Sequence, residues 1–259
     1  MNLSTHSEHK INPEGTEASE HSQEIIEEYG HRLDAIAFRR SLIAWGKENF
    51  RAFPWRFTHD PYHILIAEVM LHRTQARQVL PVYKQFVARY PNLESLANAS
   101  ERELREILYS LGLHWRIELL HKMVRELATR FEGRIPADRE NLLALPGVSD
   151  YIASAFRCFA LNQSDALIDT NTVRIVARLF GLPVKDSLRR NKRFMSLIGA
   201  MVDPEEPKFY NYALLDLANK ICLKSNPPIC RSCPIQTHCL HGGHSLTHER
   251  SYESSFEMA

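Results

Sequence analysis

Two carboxylates and four thiols are the side chains of this sequence best placed to do chemistry. Glu68 is the single ionisable residue in the run Ile64-Leu65-Ile66-Ala67-Glu68-Val69-Met70-Leu71. A carboxylate in such company is costly unless it is paired or put to use. Glu68 is therefore a partner for an arginine, a cap for another helix, or a reacting group. Asp169 precedes Thr170-Asn171 and the helical pattern Val173, Val176, Ala177, Phe180, which Gly181 closes. That is an N-cap position, and capping is compatible with catalysis. Cys222, Cys230, Cys233 and Cys239 form C-x7-C-x2-C-x5-C, with Pro234 after the third. Where thiols stay reduced, such a set reads as a metal or cluster site and not as disulfides. Zinc and an iron–sulfur cluster both accept four thiolates, and the spacing leaves both open. The fifth cysteine, Cys158, stands among Phe156, Phe159 and Ala160 and reads as a core residue.

The stretch Leu145-Pro146-Gly147-Val148-Ser149-Asp150-Tyr151 has to position these groups. Pro-Gly in a helical region makes a tight turn between two helices. Gly147 can adopt a backbone conformation that other residues resist. The amides that follow open a helix, where unpaired N–H groups favour an anion such as a DNA phosphate. The turn delivers Tyr151 at the start of one helix, and Asp169 stands at the start of the next.

The rest of the pattern is helical. Apolar residues recur at helical spacing over 23–50, and the run over 64–71, apolar nearly all round, predicts a buried helix. His72-Arg73-Thr74-Gln75 interrupts the pattern before a helix from Val79 to Tyr90. Further helices are expected over 94–109, 115–131, 139–145, 151–160, 190–203 and 208–222. Arg116, Lys122 and Arg125 are possible phosphate contacts on the 115–131 helix, although most such charges form a solvated face. With only 10 Gly and little apolar–polar alternation, an all-β fold is excluded.

The 259 residues suffice for one large or two small domains with real cores. No apolar stretch is long enough to span a membrane, and the polar first residues lack the apolar core of a secretory signal. A cytoplasmic location follows, nucleoid-associated in a prokaryote. The net charge is +1, but eight acidic and two basic side chains lie within 1–35, so the remainder carries +7. That asymmetry suits a DNA-binding face.

Together these residues resemble a helix-hairpin-helix DNA glycosylase of the endonuclease III superfamily. The resemblance covers about residues 34–240. It rests on Pro61-Tyr62 with Glu68-Val69-Met70-Leu71, on the Leu145-Pro146-Gly147-Val148 hairpin, on the Asp169 helix start and on the four-cysteine loop. It implies an all-α fold of two helical lobes. A six-helix barrel domain with the hairpin would span 57–163. An iron–sulfur cluster domain would join 34–56 to 164–240. Residues 1–33 would be a largely disordered acidic tail and 241–259 a loose one. The resemblance also implies a 4Fe-4S cluster on the four cysteines, with zinc as the alternative. The partner would be double-stranded DNA with one base flipped into the cleft between the lobes, bound by a monomer without membrane attachment.

By the same resemblance Asp169 is the catalytic carboxylate, stabilising the cationic sugar as the base leaves. Glu68 faces the flipped base and Tyr151 packs on it. Bifunctional members carry Lys at the position of Tyr151, and a phenol cannot form a Schiff base. A monofunctional enzyme is therefore expected. Tyr at this position, and Arg73 where adenine-removing members usually carry Gln, are similar to thymine/uracil mismatch glycosylases acting opposite guanine. The chain also ends soon after the cysteines, where adenine enzymes usually add a domain. Adenine excision from A:G or A:8-oxoguanine pairs is the alternative, and a non-catalytic DNA-binding protein a further one. Arg73 and Gln75 would fill the gap in the duplex. Pro146, Gly147, Val148 and Ser149, with Lys224 and Arg231 near the cysteines, would touch the backbone. Two features depart from the family pattern. Ser149-Asp150 replaces the usual glycine and basic residue, and Asp150 near a phosphate is expected to cost about 1 kcal/mol. The first cysteine gap is seven residues instead of six.

Overall fold

The computed structural model describes residues 13–30, 33–112 and 114–243, and among these residues the chain is helical with no β-strand. The all-α class expected from the sequence is what is found. Residues 1–12 of the expected N-terminal tail and the C-terminal residues from 244 lie outside the described residues.

Within the stretch expected to be a loose acidic tail, Pro13–Glu27 is instead a helix, α1. Its apolar end explains this. Ile26 is fully buried, and Tyr29 meets Phe180 and Phe194 edge-on. Asp34 caps α2 (Ala35–Glu48), accepting from Ala37 N at 2.9 Å. Asp60 caps α3 (Pro61–Leu71), with Pro61 in the first turn, where its missing N–H costs nothing. α4 (Ala76–Arg89) follows the loop 72–75. The single helix expected over 94–109 is two, α5 (Leu93–Ala97) and α6 (Glu101–Leu108). The cause is local: Asn92 and Ser100 each form a capping box, and the Ser100–Glu103 exchange starts a new helix. α7 (His114–Arg130), α8 (Arg139–Ala144) and α9 (Asp150–Leu161) lead to α10 (Thr170–Leu179), α11 (Lys192–Met201) and α12 (Pro207–Lys220).

Two apolar cores result. One gathers Trp55, α3 to α9 and Leu167, together with Tyr212 from α12. The other joins the end of α1 and α2 to α10, α11, α12 and Ile235. α12 therefore serves both cores, sending Tyr212 into the first and Ala213 and Leu214 into the second. α2 crosses α12 at Gly46, where a Cβ would lie 2.4 Å from Ala213 Cβ. The glycine permits this close approach, and the contact brings the 50–56 segment against α12.

Candidate active site

The hairpin turn is built as its residues require. α8 ends at Ala144, and Val148 N donates to Leu145 O at 3.1 Å to close the turn, with Leu145 and Val148 buried beneath it. Pro146 is half-buried and Gly147 is exposed. Gly147 has φ +82°, and a Cβ there would stand 3.1 Å from Leu119 Cβ, so both conformation and space demand glycine. Ser149 caps α9, its hydroxyl accepting from Ile152 N at 3.3 Å. Asp150, in the first turn, pairs with Arg139 at 3.0 Å. Arg139 also donates to Ser154 Oγ and Asp165. The acidic residue in the hairpin thus has its counter-ion in the helix before it, which offsets the electrostatic cost expected of it.

From this turn Tyr151 enters a partly buried position close to two carboxyls. α3, which carries Glu68, packs against α9, and the charges of Glu68 and of Asp169, at the start of α10, both bear on the phenol. Burial raises the Tyr151 hydroxyl well above the usual phenol range, and the negative charges of Glu68 and Asp169 raise it further. Glu68 is 3% exposed, and its Oε2 has no hydrogen-bond partner among the described residues. Burial pushes its carboxyl up to about 8, with Arg56 opposing. At neutral pH Glu68 is therefore largely a protonated acid, able to donate.

Asp169 is partly exposed and well supplied with donors. Its Oδ1 accepts from Asn171 N at 2.9 Å and Thr172 N at 2.8 Å, and its Oδ2 accepts from Asn171 Nδ2 at 2.8 Å. It is the N-cap of α10, and its charge bears on Tyr151.

Three residues that sequence reasoning passed over complete the floor of this cleft. Tyr212 stacks on Phe159 with centroids 4.0 Å apart, and its hydroxyl too is raised well above the usual range, by burial first and by Glu68 next. The Arg56 guanidinium lies over the Tyr212 ring at 4.3 Å and is bound by Asp216. A sequence signal existed for Asp216 alone, as an acid in the otherwise apolar stretch Tyr212 to Ala218.

The loop after α3 is set apart from these groups. Arg73 is exposed and has φ +64°, an uncommon conformation for a residue with a Cβ. Gln75 is exposed and begins α4 without a side-chain cap. Arg116, considered as a phosphate contact, is instead 7% exposed and donates to the carbonyls of Val69 (3.4 Å) and His72. It serves the C-terminus of α3, whose last carbonyls lack helical partners. Lys122 is exposed and pairs with Glu118 at 2.6 Å.

Cys222, Cys230, Cys233 and Cys239 line one small pocket together with Ile175, Arg178 and Ile235. Among the described residues no three His, Cys, Asp or Glu converge on one ion-sized point. Burial pushes the Cys233 thiol up to about 12 and raises Cys239 as well. Arg178 donates to Cys222 Sγ at 3.2 Å, and Gly242 N to Cys239 Sγ at 3.4 Å. Lys224 and Arg231 are exposed on the same loop.

Comparison with known proteins places these features in context. Residues 66–199 match the family model described as HhH-GPD superfamily base excision DNA repair protein. The thymine-DNA glycosylase of Aeropyrum pernix is 41% identical over 217 residues, covering 81% of this chain and 95% of that one. The thymine/uracil-DNA glycosylase of Pyrobaculum aerophilum is 38% identical, over 78% of this chain and 90% of its own. A solved structure of a thermostable thymine-DNA glycosylase superposes with a TM-score of 0.75 at 30% identity, covering 81% of this chain and 97% of that one.

Proposed function

This chain belongs to the HhH-GPD superfamily of base excision DNA repair proteins, and we propose that its site excises thymine or uracil mispaired with guanine, by hydrolysis alone, leaving an abasic site. That it is a DNA glycosylase follows from the family and from relatives similar over most of their length. The finer reading rests on one observation, a Tyr151 phenol raised by burial, on which the charges of both Glu68 and Asp169 bear.

In this reading a flipped nucleotide enters the cleft beside Tyr151. Glu68, largely protonated, donates to a carbonyl oxygen of the pyrimidine. The N1–C1′ bond breaks with its electron pair going to the base. The sugar becomes cationic, and the Asp169 carboxylate stabilises it and orients the water that bonds to C1′. The water proton passes to Asp169 or solvent, and the base takes up a proton as it departs. Tyr151 offers an aromatic face and a phenol that stays protonated, not an amine. No Schiff base forms, so no lyase step follows.

Pro146, Gly147, Val148 and Ser149 present the amides of the α9 start to a backbone phosphate. Lys224 and Arg231 extend that contact. Arg73 and Gln75 fill the space the nucleotide leaves and meet the orphan guanine. Cys222, Cys230, Cys233 and Cys239 hold a 4Fe-4S cluster, a reading supported by the donor set and the cavity. When bound, the cluster supplies a structural clamp for the 222–239 loop. No helix among the described residues is long and apolar enough to cross a membrane. The protein acts as a monomer on duplex DNA in the cytoplasm or nucleoid.

The test is incubation with T:G, U:G, A:G and A:8-oxoguanine duplexes, followed by alkali. Alkali-dependent cleavage at T or U is expected. Cleavage at A alone would replace thymine and uracil by adenine as substrate. A nick without alkali, or borohydride trapping on DNA, removes the monofunctional assignment. Asp169→Asn keeps the helix cap and should abolish excision while sparing binding.

A further inference from the structure

Beneath Glu68 lies a buried ion pair that the proposed chemistry does not itself use. Asp216, fully buried on α12, accepts Arg56 Nη1 at 2.7 Å and Nη2 at 3.0 Å, a two-pronged arrangement. It also accepts the backbone N–H of Arg51 at 3.1 Å and the Arg51 Nε. Arg56 is 5% exposed, and its guanidinium lies 4.3 Å from the Tyr212 ring centroid, 5.1 Å from that of Phe50 and 5.8 Å from that of Phe53. Each face and edge of this cation is therefore engaged. Buried ion pairs contribute little net stability, because desolvation offsets the attraction. The placement therefore calls for another account.

The groups around Glu68 supply one. Its charge bears on Tyr151 and Cys158 of α9 and on Tyr212 of α12, and Asp169 also bears on Tyr151. Among the described residues Arg56 is the cation set against it. Yet Arg56 gives its terminal nitrogens to Asp216, and Glu68 Oε2 is left without a partner.

We propose that Arg56 and Asp216 are positioning residues for base excision: the Asp216 carboxylate takes both terminal nitrogens of Arg56 and fixes the guanidinium over the Tyr212 ring, so that it does not pair with the buried Glu68 carboxyl, whose Oε2 is left to meet the substrate. The proposal rests on the glycosylase reading of the same site. It makes the two members act in opposite directions. Without the Asp216 charge, Arg56 is unopposed and Glu68 ionises at lower pH. Without Arg56, Glu68 keeps its proton to higher pH. A merely structural pair would lower the rate at every pH and move no midpoint.

The experiment is single-turnover excision from T:G and U:G duplexes between about pH 5.5 and 9.5, with a carbon-13 NMR titration of the Glu68 carboxyl in the free full-length chain. In the wild type, activity should fall as pH rises through about 8. Asp216→Asn should move the midpoint down by about one unit and Arg56→Gln up by about one unit, with Arg56→Lys close to wild type. Midpoints that stay within about 0.3 unit of wild type in both charge-removing variants overturn the proposal, whatever the loss of rate. Should Asp216→Asn fail to fold, Arg56→Gln alone must show the upward shift, and an unshifted midpoint there overturns it equally. The NMR arm separates the two readings. Shifted Glu68 titrations with no excision of any base support the positioning and remove the glycosylase reading. Excision with unshifted titrations does the reverse.

Discussion

Asn171 donates its side-chain amide to Asp169 Oδ2 at 2.8 Å, while its own carbonyl accepts from Arg174 Nη1 at 3.1 Å. Arg174 is buried and in turn donates to Cys222 O at 2.9 Å and Ala218 O at 3.1 Å. The orientation of the Asp169 carboxylate is thus fixed by a chain of contacts reaching the first cysteine. A hydrogen bond to a charged group contributes about 2 kcal/mol, so Asn171→Ala should slow excision roughly thirty-fold. Binding to a mismatched duplex should change little. Single-turnover rates check this, and a rate equal to wild type would remove Asn171 from the support of Asp169.

Stability should depend on pH through Glu68. Burial pushes its carboxyl up to about 8 from an ordinary value of 4.5. Between those values the folded protein holds a proton that the unfolded chain has released. The stabilisation from this site is therefore complete below about 4.5 and lost as pH rises through about 8. The change is on the order of 3–5 kcal/mol. Glu68→Gln stays neutral throughout, so its melting temperature relative to wild type should rise by several degrees, on the order of 5–10 °C, between pH 5 and 9. Parallel melting curves for the two proteins across that range would contradict a protonated Glu68.

The crossing of α2 and α12 predicts a different sensitivity. At Gly46 an added methyl would meet Ala213 Cβ at 2.4 Å, and the atoms it meets next are backbone. Both helices are rigid there, so the chain must separate them. Overpacking of this kind costs about 1–3 kcal/mol, and Gly46→Ala should lower the melting temperature by roughly 3–10 °C despite the gain in helix propensity. Because the same crossing seats 50–56 against α12, excision should weaken too. Pairing it with Ala213→Gly should restore both. No recovery in the double variant would show that the contact is not what limits the site.

Much of the site was legible because its signals are local. A lone acid in an apolar run marked Glu68, an N-cap pattern marked Asp169, and spacing marked the four cysteines. The Arg56–Asp216 pair was not legible as a pair, since its members are 160 residues apart: Asp216 stands out as an acid in an apolar stretch, but nothing local points to Arg56 as its partner. Arg116 was misread for a related reason: a charge on an amphipathic helix looks solvated until the carbonyls at the end of α3 are seen beside it. The division at Ser100 was legible in principle, as Ser-x-x-Glu starts a helix, but the apolar spacing across 94–109 continues through it. α1 is the opposite case. Its composition is that of a tail, and three apolar residues at its end attach it to the core.

The cysteine loop ties the proposed cluster site to the hydrogen bonds that orient Asp169. Cys222 contributes a carbonyl to Arg174 and a sulfur to Arg178, whereas Cys239 reaches α10 only through its thiol, which donates to Arg178 O at 3.5 Å, and accepts from Gly242 N. Binding of a cluster is also folding free energy for the loop that carries its ligands. Either Cys222→Ser or Cys239→Ser should therefore remove the visible absorption of an iron–sulfur protein and lower the melting temperature. They should differ at the active site. Cys222→Ser disturbs the residue that anchors Arg174, and with it Asn171 and Asp169, so its excision rate should fall further than its stability explains. Cys239→Ser should lose rate only in step with stability and DNA binding. Equal losses in the two variants, normalised to the folded fraction, would show that the contacts from Cys222 to Asp169 do not transmit to the chemistry. A colourless wild-type protein carrying zinc would replace the cluster, but the contrast between the two variants would still have to appear, because it depends on Arg174 and not on which metal the thiolates hold.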